Sequence, residues 1–94
     1  MTTHEVRIDS HANWALIPPH MHEGITGYVE EHRPPGSFLR AALSNDFLTA
    51  ALRADEENRA ALAGWAMFLY NYVPANCWGS PERVSEWIYR EPQT

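Results

Sequence analysis

The chain has 94 residues, enough for one small domain, and twelve acidic against seven basic side chains give it a formal net charge of −5. That charge argues against non-specific binding to nucleic acids or membrane surfaces, because such binding needs a basic field. All seven basic residues are arginine, which excludes mechanisms that depend on a lysine nucleophile or a phosphate-binding lysine. The single cysteine excludes an internal disulfide and fits a reducing cytoplasm.

Residues 1–15 show no strong period, and we expect a loosely ordered N-terminal arm in which Val6, Ile8 and Trp14 can dock on the rest of the protein. Residues 16–94 are expected to form a single helical domain. The first ten residues lack the apolar core of a signal peptide, and no stretch approaches the roughly 20 apolar residues of a membrane span. The sequence therefore predicts a soluble cytoplasmic protein without membrane contact.

The first helix is predicted from about Pro19 to Glu31. Proline tolerates the first helical turn, and apolar residues follow it at helical spacing. Gly24 and Gly27 weaken this helix, which suggests that a neighbouring segment approaches it closely. Residues 33–37, Arg-Pro-Pro-Gly-Ser, end the helix, because a residue before proline is pushed out of the helical region.

Two segments of similar sequence, FLRAAL and FLTAAL, follow at residues 38–43 and 47–52. They are predicted to be helices two and three, either packed as a hairpin or joined as one helix kinked at Asn45. Asp46 and its neighbours supply candidate N-caps for helix three. The predicted buried stripe of that helix comprises Phe47, Leu48, Ala51 and Leu52.

Asp55 is the predicted N-cap of a fourth helix, which Pro74 closes. This is the predicted central core helix, and its wide apolar face comprises Leu62, Trp65, Phe68, Leu69 and Tyr72. Ser80, followed by Pro81, starts the fifth helix. The predicted fold class is therefore all-α, a compact bundle of four to five short helices with an irregular N-terminal segment.

Several residues with reactive side chains have simpler structural explanations. His20 and His22 lie two positions apart, so on a helix they point about 200° apart and cannot share one metal ion. Cys77 lacks the sequence context of a nucleophile and is interpreted as a small buried apolar residue. The acidic residues at 46 and 55–57 lie at helix starts, where the helix dipole favours them. We therefore predict no metal, no cofactor and no enzymatic activity.

The strongest candidate site combines two Gly-Ser helix starts. Free N–H groups at a helix start and arginine guanidinium groups bind phosphate, and an aromatic ring can stack on a nucleobase. The candidate ligand-binding residues are Arg33, Gly36, Ser37, Arg40, Asn45, Tyr70, Trp78, Gly79 and Ser80. In this hypothesis Arg33 and Arg40 hold phosphate, and Trp78 or Tyr70 stacks on a base. The alternative is that both loops are capped turns and that Trp78 covers the edge of the core.

Four short words, IPPHM, PPGSFL, ND and CWGSP, each occur once within residues 17–88. Through these words the stretch resembles a family of small phage and prophage proteins. The resemblance implies a compact acidic protein that acts in the bacterial cytoplasm, and it transfers no catalytic residue. Small phage proteins of this kind often counter host defence, either by binding a defence protein or by sequestering a nucleotide signal.

Two functions follow as expectations. The first is a phage-encoded counter-defence protein, a homo-oligomer, that sequesters a phosphate-containing cyclic nucleotide signal without chemistry. The second is an acidic inhibitor or adaptor that blocks a host defence protein through its acidic and aromatic surface.

Overall fold

The computed structural model describes residues 6–90, and these form an all-α bundle, which confirms the predicted fold class. Six α-helices follow in chain order: α1 (His22–Glu31), α2 (Ser37–Leu43), α3 (Phe47–Arg53), α4 (Glu56–Ala60), α5 (Leu62–Tyr72) and α6 (Pro81–Tyr89). Two 3-10 helices, Trp14–Leu16 and Pro19–Met21, precede α1, and a third, Ala75–Cys77, lies between α5 and α6. Within residues 6–90 there is no strand, and no helix is long and apolar enough to cross a membrane. Residues 1–5 of the predicted arm and 91–94 of the predicted domain lie outside the described residues.

The helix caps predicted from the sequence are present. Asp46 accepts a hydrogen bond from the backbone N–H three residues later at 3.1 Å, and Asp55 does the same at 2.8 Å. Ser80 Oγ accepts from the backbone N–H of Arg83 at 3.1 Å. Each cap satisfies one of the free N–H groups in the first turn of its helix, which contributes about 1 kcal/mol to stability.

α2 and α3 are separate helices rather than one kinked helix. Asn45 has a left-handed backbone conformation, with φ of 64°. Its N–H donates to the carbonyl of Ala42 at 3.0 Å, and the N–H of Asp46 donates to the carbonyl of Ala41 at 2.9 Å. These two bonds form a Schellman motif that ends α2. Asn45 therefore has a structural role as the residue that turns the chain from α2 into α3.

The buried side of α3 differs from the predicted stripe. Ala50 is buried, and Phe47 and Ala51 are half-buried, whereas Leu48 and Leu52 are exposed. The prediction that Leu48 and Leu52 are buried is therefore wrong. The helix packs through its alanine side, which allows close approach, and the two leucines lie on a different part of its circumference.

The predicted fourth helix is interrupted at Ala61, whose φ of −103° and ψ of 14° separate α4 from α5. The predicted core face of this segment is confirmed, since Trp65, Phe68 and Leu69 are buried. Asn58 on α4 is buried as well, and its Oδ1 accepts a hydrogen bond from Trp65 Nε1 at 2.9 Å. This bond satisfies both polar groups inside the core.

Tyr28 lies at the centre of the core and is fully buried. Its hydroxyl donates to the carbonyl of Cys77 at 2.5 Å, and its own carbonyl accepts from Trp87 Nε1 at 2.8 Å. Burial raises the pKa of the Tyr28 phenol, so the hydroxyl keeps its proton and remains a donor. One residue of α1 thus holds both the Ala75–Cys77 turn and α6.

The N-terminal segment packs against α5. Ile8 belongs to the buried core, and the N–H of Asp9 donates to the carbonyl of Tyr72 at 3.0 Å. Gly64 of α5 lies directly against the carbonyl oxygen of Leu16, and a Cβ at this position would overlap that oxygen. Glycine is therefore needed at position 64 because of this close approach rather than for its backbone freedom.

We expect Tyr28→Phe to lower the free energy of unfolding by about 1–3 kcal/mol, because it leaves the buried carbonyl of Cys77 without its donor. Urea denaturation followed by circular dichroism measures the change. Tyr70→Phe is the matched control, since Tyr70 is exposed, and it should change stability by less than about 0.5 kcal/mol. Equal effects of the two substitutions would contradict the role given to the Tyr28 hydroxyl.

Gly64→Ala should destabilise the protein by about 1–3 kcal/mol through its clash with Leu16, although alanine is the better helix former. Gly24→Ala in α1 is the matched control. The nearest atom outside its own helix is Leu39 Cδ2 at 3.9 Å, an ordinary contact, so this variant should gain about 0.5–1 kcal/mol. Thermal unfolding of both variants checks the opposite signs, and a gain in both would refute the close approach at Gly64.

Candidate functional site

The two Gly-Ser loops lie at opposite ends of α2. Gly36 and Ser37 begin this helix, whereas the N–H of Gly79 donates to the carbonyl of Leu43 at its other end, at 2.7 Å. A helix of seven residues is about 10 Å long. Within one chain the structure therefore brings Gly79 close to the end of α2 that carries Asn45, and leaves Gly36 and Ser37 apart from them.

The polar groups of the second loop already have partners within the chain. The N–H of Gly79 serves to cap α2, and Ser80 Oγ serves to cap α6. Trp78 is half-buried against the core, and its Nε1 donates to the carbonyl of Val73 at 3.2 Å. Gly79 has a φ of 118°, which suits glycine at this tight turn. These contacts favour the interpretation of the loop as a capped turn.

The two candidate arginines have different surroundings. Arg33 Nε forms an ion pair with Glu31 at 3.0 Å, and its guanidinium lies over Gly27, so a side chain rather than a helix approaches this glycine. Arg40 is half-buried on α2, and its positive charge opposes the effect of burial on the pKa of Tyr28. The exposed Tyr70 lies on the outer side of α5.

One open groove of about 380 Å³ contains a predicted site residue, Arg33. It runs along α1, and its lining residues are Trp14, His22, Glu23, Thr26, Glu31 and Arg33. Two carboxylates oppose one guanidinium here, so the groove has no positive excess that would attract a phosphate. An aromatic ring and an arginine nevertheless lie in the same concave surface.

His20 and His22 contact different parts of the chain. His20 Nε2 lies 3.0 Å from Asp55 Oδ2, and its Nδ1 lies 3.4 Å from Glu57 Oε1, so this ring ties Pro19–Met21 to the start of α4. His22 Nε2 lies 3.2 Å from the carbonyl of Trp14. Among residues 6–90, no group of three or more His, Cys, Asp or Glu side chains is arranged to hold a metal ion. No sequence pattern indicates the contact between His20 and Asp55, because the two residues are 35 positions apart in the chain.

Cys77 is buried, as predicted, and its Sγ donates to the carbonyl of Pro74 at 3.1 Å. Burial raises the pKa of this thiol to about 12. At neutral pH the side chain is therefore a protonated thiol, whereas the nucleophilic form of cysteine is the thiolate.

Large apolar side chains are exposed on three helices. The exposed fractions are 75% for Leu48 and 76% for Leu52 on α3, 53% for Met67 and 79% for Tyr70 on α5, and 77% for Tyr89 on α6. Pairs three or four residues apart lie on one face of a helix, so α3 and α5 each present an apolar patch to solvent. Reasoning from the sequence missed both patches. A signal was present for α5, since residues 60–81 carry no charged side chain.

Comparison of the chain with known protein families, with curated proteins and with solved structures gave no match. The surfaces and contacts of the chain itself therefore supply the argument for its function.

We expect the stability of the protein to fall above pH 9 in part because of Cys77. The folded state holds this proton to about pH 12, whereas an unperturbed thiol releases it near pH 9.0. The stabilising effect is therefore complete below pH 9.0 and is lost as the pH rises from there towards 12.

Urea midpoints at about pH 8 and about pH 10.5 measure this effect in the wild type and in Cys77→Ala. The wild type should lose more stability between the two pH values than Cys77→Ala, because the contribution of Tyr28 is common to both proteins. Equal losses would show that Cys77 is not held in its protonated form by burial.

Proposed function

We propose that this chain is a non-enzymatic protein-binding module, an acidic inhibitor or adaptor that inserts α3 into an apolar groove on a partner protein. The observation that carries the proposal is the exposure of Leu48 and Leu52, one helical turn apart, on the outer side of α3. Leucines at this spacing are the anchors by which an amphipathic helix binds in a groove. Exposing two leucine side chains to water costs free energy, which supports a role for them in binding rather than in folding.

The charges around α3 identify the chemistry of the partner. Asp46 precedes the helix, and Asp55, Glu56 and Glu57 follow it, so four carboxylates stand against two guanidinium groups, those of Arg53 and Arg59. Hydrogen bonds from Thr49 lower the pKa of Asp46, and the hydrogen bond from the N–H of Asn58 lowers the pKa of Asp55. Both carboxyl groups are therefore ionised at neutral pH. The complementary partner has an apolar groove bordered by lysine and arginine.

The anchoring of α3 leaves its outer face available. Ala50, on the inner side of the helix, is buried in the core. At the end of the helix, the Arg59 guanidinium donates to the carbonyl of Ala54 at 2.8 Å and to that of Ala51 at 3.4 Å. α3 is thus fixed before it meets a partner, which lowers the entropy cost of binding.

A setting in the bacterial cytoplasm and a counter-defence role, which the phage-like words in the sequence imply, form part of this proposal. Assembly of more than one copy of the chain is also part of this proposal. In this setting the partner is a basic surface of a host defence protein, and binding alone blocks it.

Affinity capture from a bacterial lysate with three baits tests the proposal: the wild type, the double variant Leu48→Ser/Leu52→Ser, and the control Tyr89→Ser. The control removes an exposed aromatic side chain from α6 and leaves α3 intact. Affinities are then measured with the purified captured protein. Loss of two leucine contacts at roughly 1.5 kcal/mol each should raise Kd about 100-fold.

The wild type and Tyr89→Ser should bind alike, and Kd should rise with salt because the rim of the groove is basic. Unchanged binding by the double variant, or binding that salt does not weaken, would contradict the proposal.

Sequestration of a nucleotide is the second candidate, and the observation that favours it is the shared groove of Trp14 and Arg33. Native mass spectrometry with cyclic di- and trinucleotides and ADP-ribose derivatives tests it. Retention of an unaltered nucleotide at fixed stoichiometry, lost in Arg33→Ala, would favour sequestration over protein binding.

A further inference from the structure

α5 is apolar around most of its circumference, and its one amide side chain, Asn71, donates from Nδ2 to the carbonyl of Met67 at 2.9 Å within the helix. Its inner side carries the buried Trp65, Phe68 and Leu69, and no residue between Leu62 and Tyr72 is charged. A surface helix ordinarily carries charged or polar residues on its outer side. The composition of α5 is typical of a helix that is covered on both sides, and in the single chain only one side is covered.

The outer side of α5 carries two small residues followed by two large ones. Ala63, Ala66, Met67 and Tyr70 are all exposed. At 3.6 residues per turn these four positions fall within an arc of about 100°, so they form one stripe along the helix. We call this stripe the α5 face.

The order of residues in the α5 face makes it complementary to itself. When two copies of α5 run antiparallel about a two-fold axis midway between residues 66 and 67, Tyr70 faces Ala63 of the second copy. In the same arrangement Met67 faces Ala66 of the second copy. Each large side chain thus lies over a small one, which allows two helices to approach closely without a clash. A two-fold interface needs this property, because the same surface is used on both subunits.

The absence of charge on the α5 face makes it the surface on which a second copy meets the least local repulsion. Each chain has a formal charge of −5, so two copies repel one another except where their contact surfaces are neutral. The α5 face is neutral, whereas the surroundings of α3 are acidic and suit a basic partner.

We propose that the α5 face is the interface of a two-fold symmetric homodimer, with α5 antiparallel to α5 of the second copy. The interface of one helix face is smaller than the roughly 800 Å² per partner of a standard interface, so we expect a dissociation constant on the order of micromolar. The dimer does not depend on the α3 partner, and Leu48→Ser/Leu52→Ser should form it as the wild type does.

Sedimentation velocity over micromolar to submillimolar concentrations tests self-association. The wild type should shift from the mass of one chain to twice that mass as its concentration rises. Ala66→Glu places four carboxylate oxygens beside the two-fold axis, two from each copy, and should raise the dimer dissociation constant about tenfold or more. Tyr89→Glu introduces the same charge at an exposed residue of α6 and should leave the dimer unchanged.

Cysteine cross-linking tests the register and direction of the two helices. In the proposed dimer the two copies of residue 66 are one position apart along the axis, so Ala66→Cys should form an intermolecular disulfide on mild oxidation. The two copies of residue 63 are seven positions apart, about 10 Å, and exceed the roughly 7 Å that a disulfide spans. Ala63→Cys should therefore stay monomeric on a non-reducing gel. The buried Cys77 thiol is the background control, present in every variant.

Three outcomes would overturn the inference. They are a wild type that remains a single chain at every concentration, a dimer unaffected by Ala66→Glu, and cross-linking of Ala63→Cys as efficient as that of Ala66→Cys. The last result would indicate a parallel pair. Circular dichroism of each variant verifies that the substitutions, all at exposed positions, leave the fold intact.

Discussion

The buried position of Tyr28 is the constraint on which the rest of the structure depends. Its hydroxyl and its carbonyl are bonded to two different segments, the Ala75–Cys77 turn and α6 through Trp87. A small domain has a small core, so each directed interaction inside it carries weight. The two hydrogen bonds of Tyr28 therefore restrict how α1, the Ala75–Cys77 turn and α6 can pack together. Gly64 adds a second constraint, because the backbone of the N-terminal segment can approach α5 only at a residue without a side chain.

Some groups of this chain are used within the fold, and others remain exposed and available for binding. The loop at Trp78, Gly79 and Ser80 uses its donors and acceptors to cap neighbouring helices, so a feature that resembles a phosphate site is explained by folding. The available groups are apolar, on the outer sides of α3 and α5. Because the surroundings of α3 are acidic and α5 is neutral, the two surfaces suit occupants of different charge.

Features that depend on residues within one helical turn could be predicted from the sequence. The caps at Asp46, Asp55 and Ser80 are of this kind, as is the core face of α5. The inward side of α3 could not be predicted, because apolar residues surround most of that helix and contact with α2 decides which of them are covered. The relative positions of the two Gly-Ser loops could not be predicted for the same reason. The sequence identifies both Gly-Ser helix starts, but only the packed chain shows that Gly79 donates to Leu43.

The bond between Trp87 and Tyr28 also has a consequence for biosynthesis. The two residues are separated by 59 positions, and the ribosome releases α1 long before it releases α6. Until α6 has been synthesised, the carbonyl of Tyr28 lacks the donor that Trp87 supplies, and the core lacks the buried side chains of Val84 and Trp87. Completion of the core therefore waits for the synthesis of α6, and until then the emerging chain exposes apolar surface of the kind that general chaperones recognise.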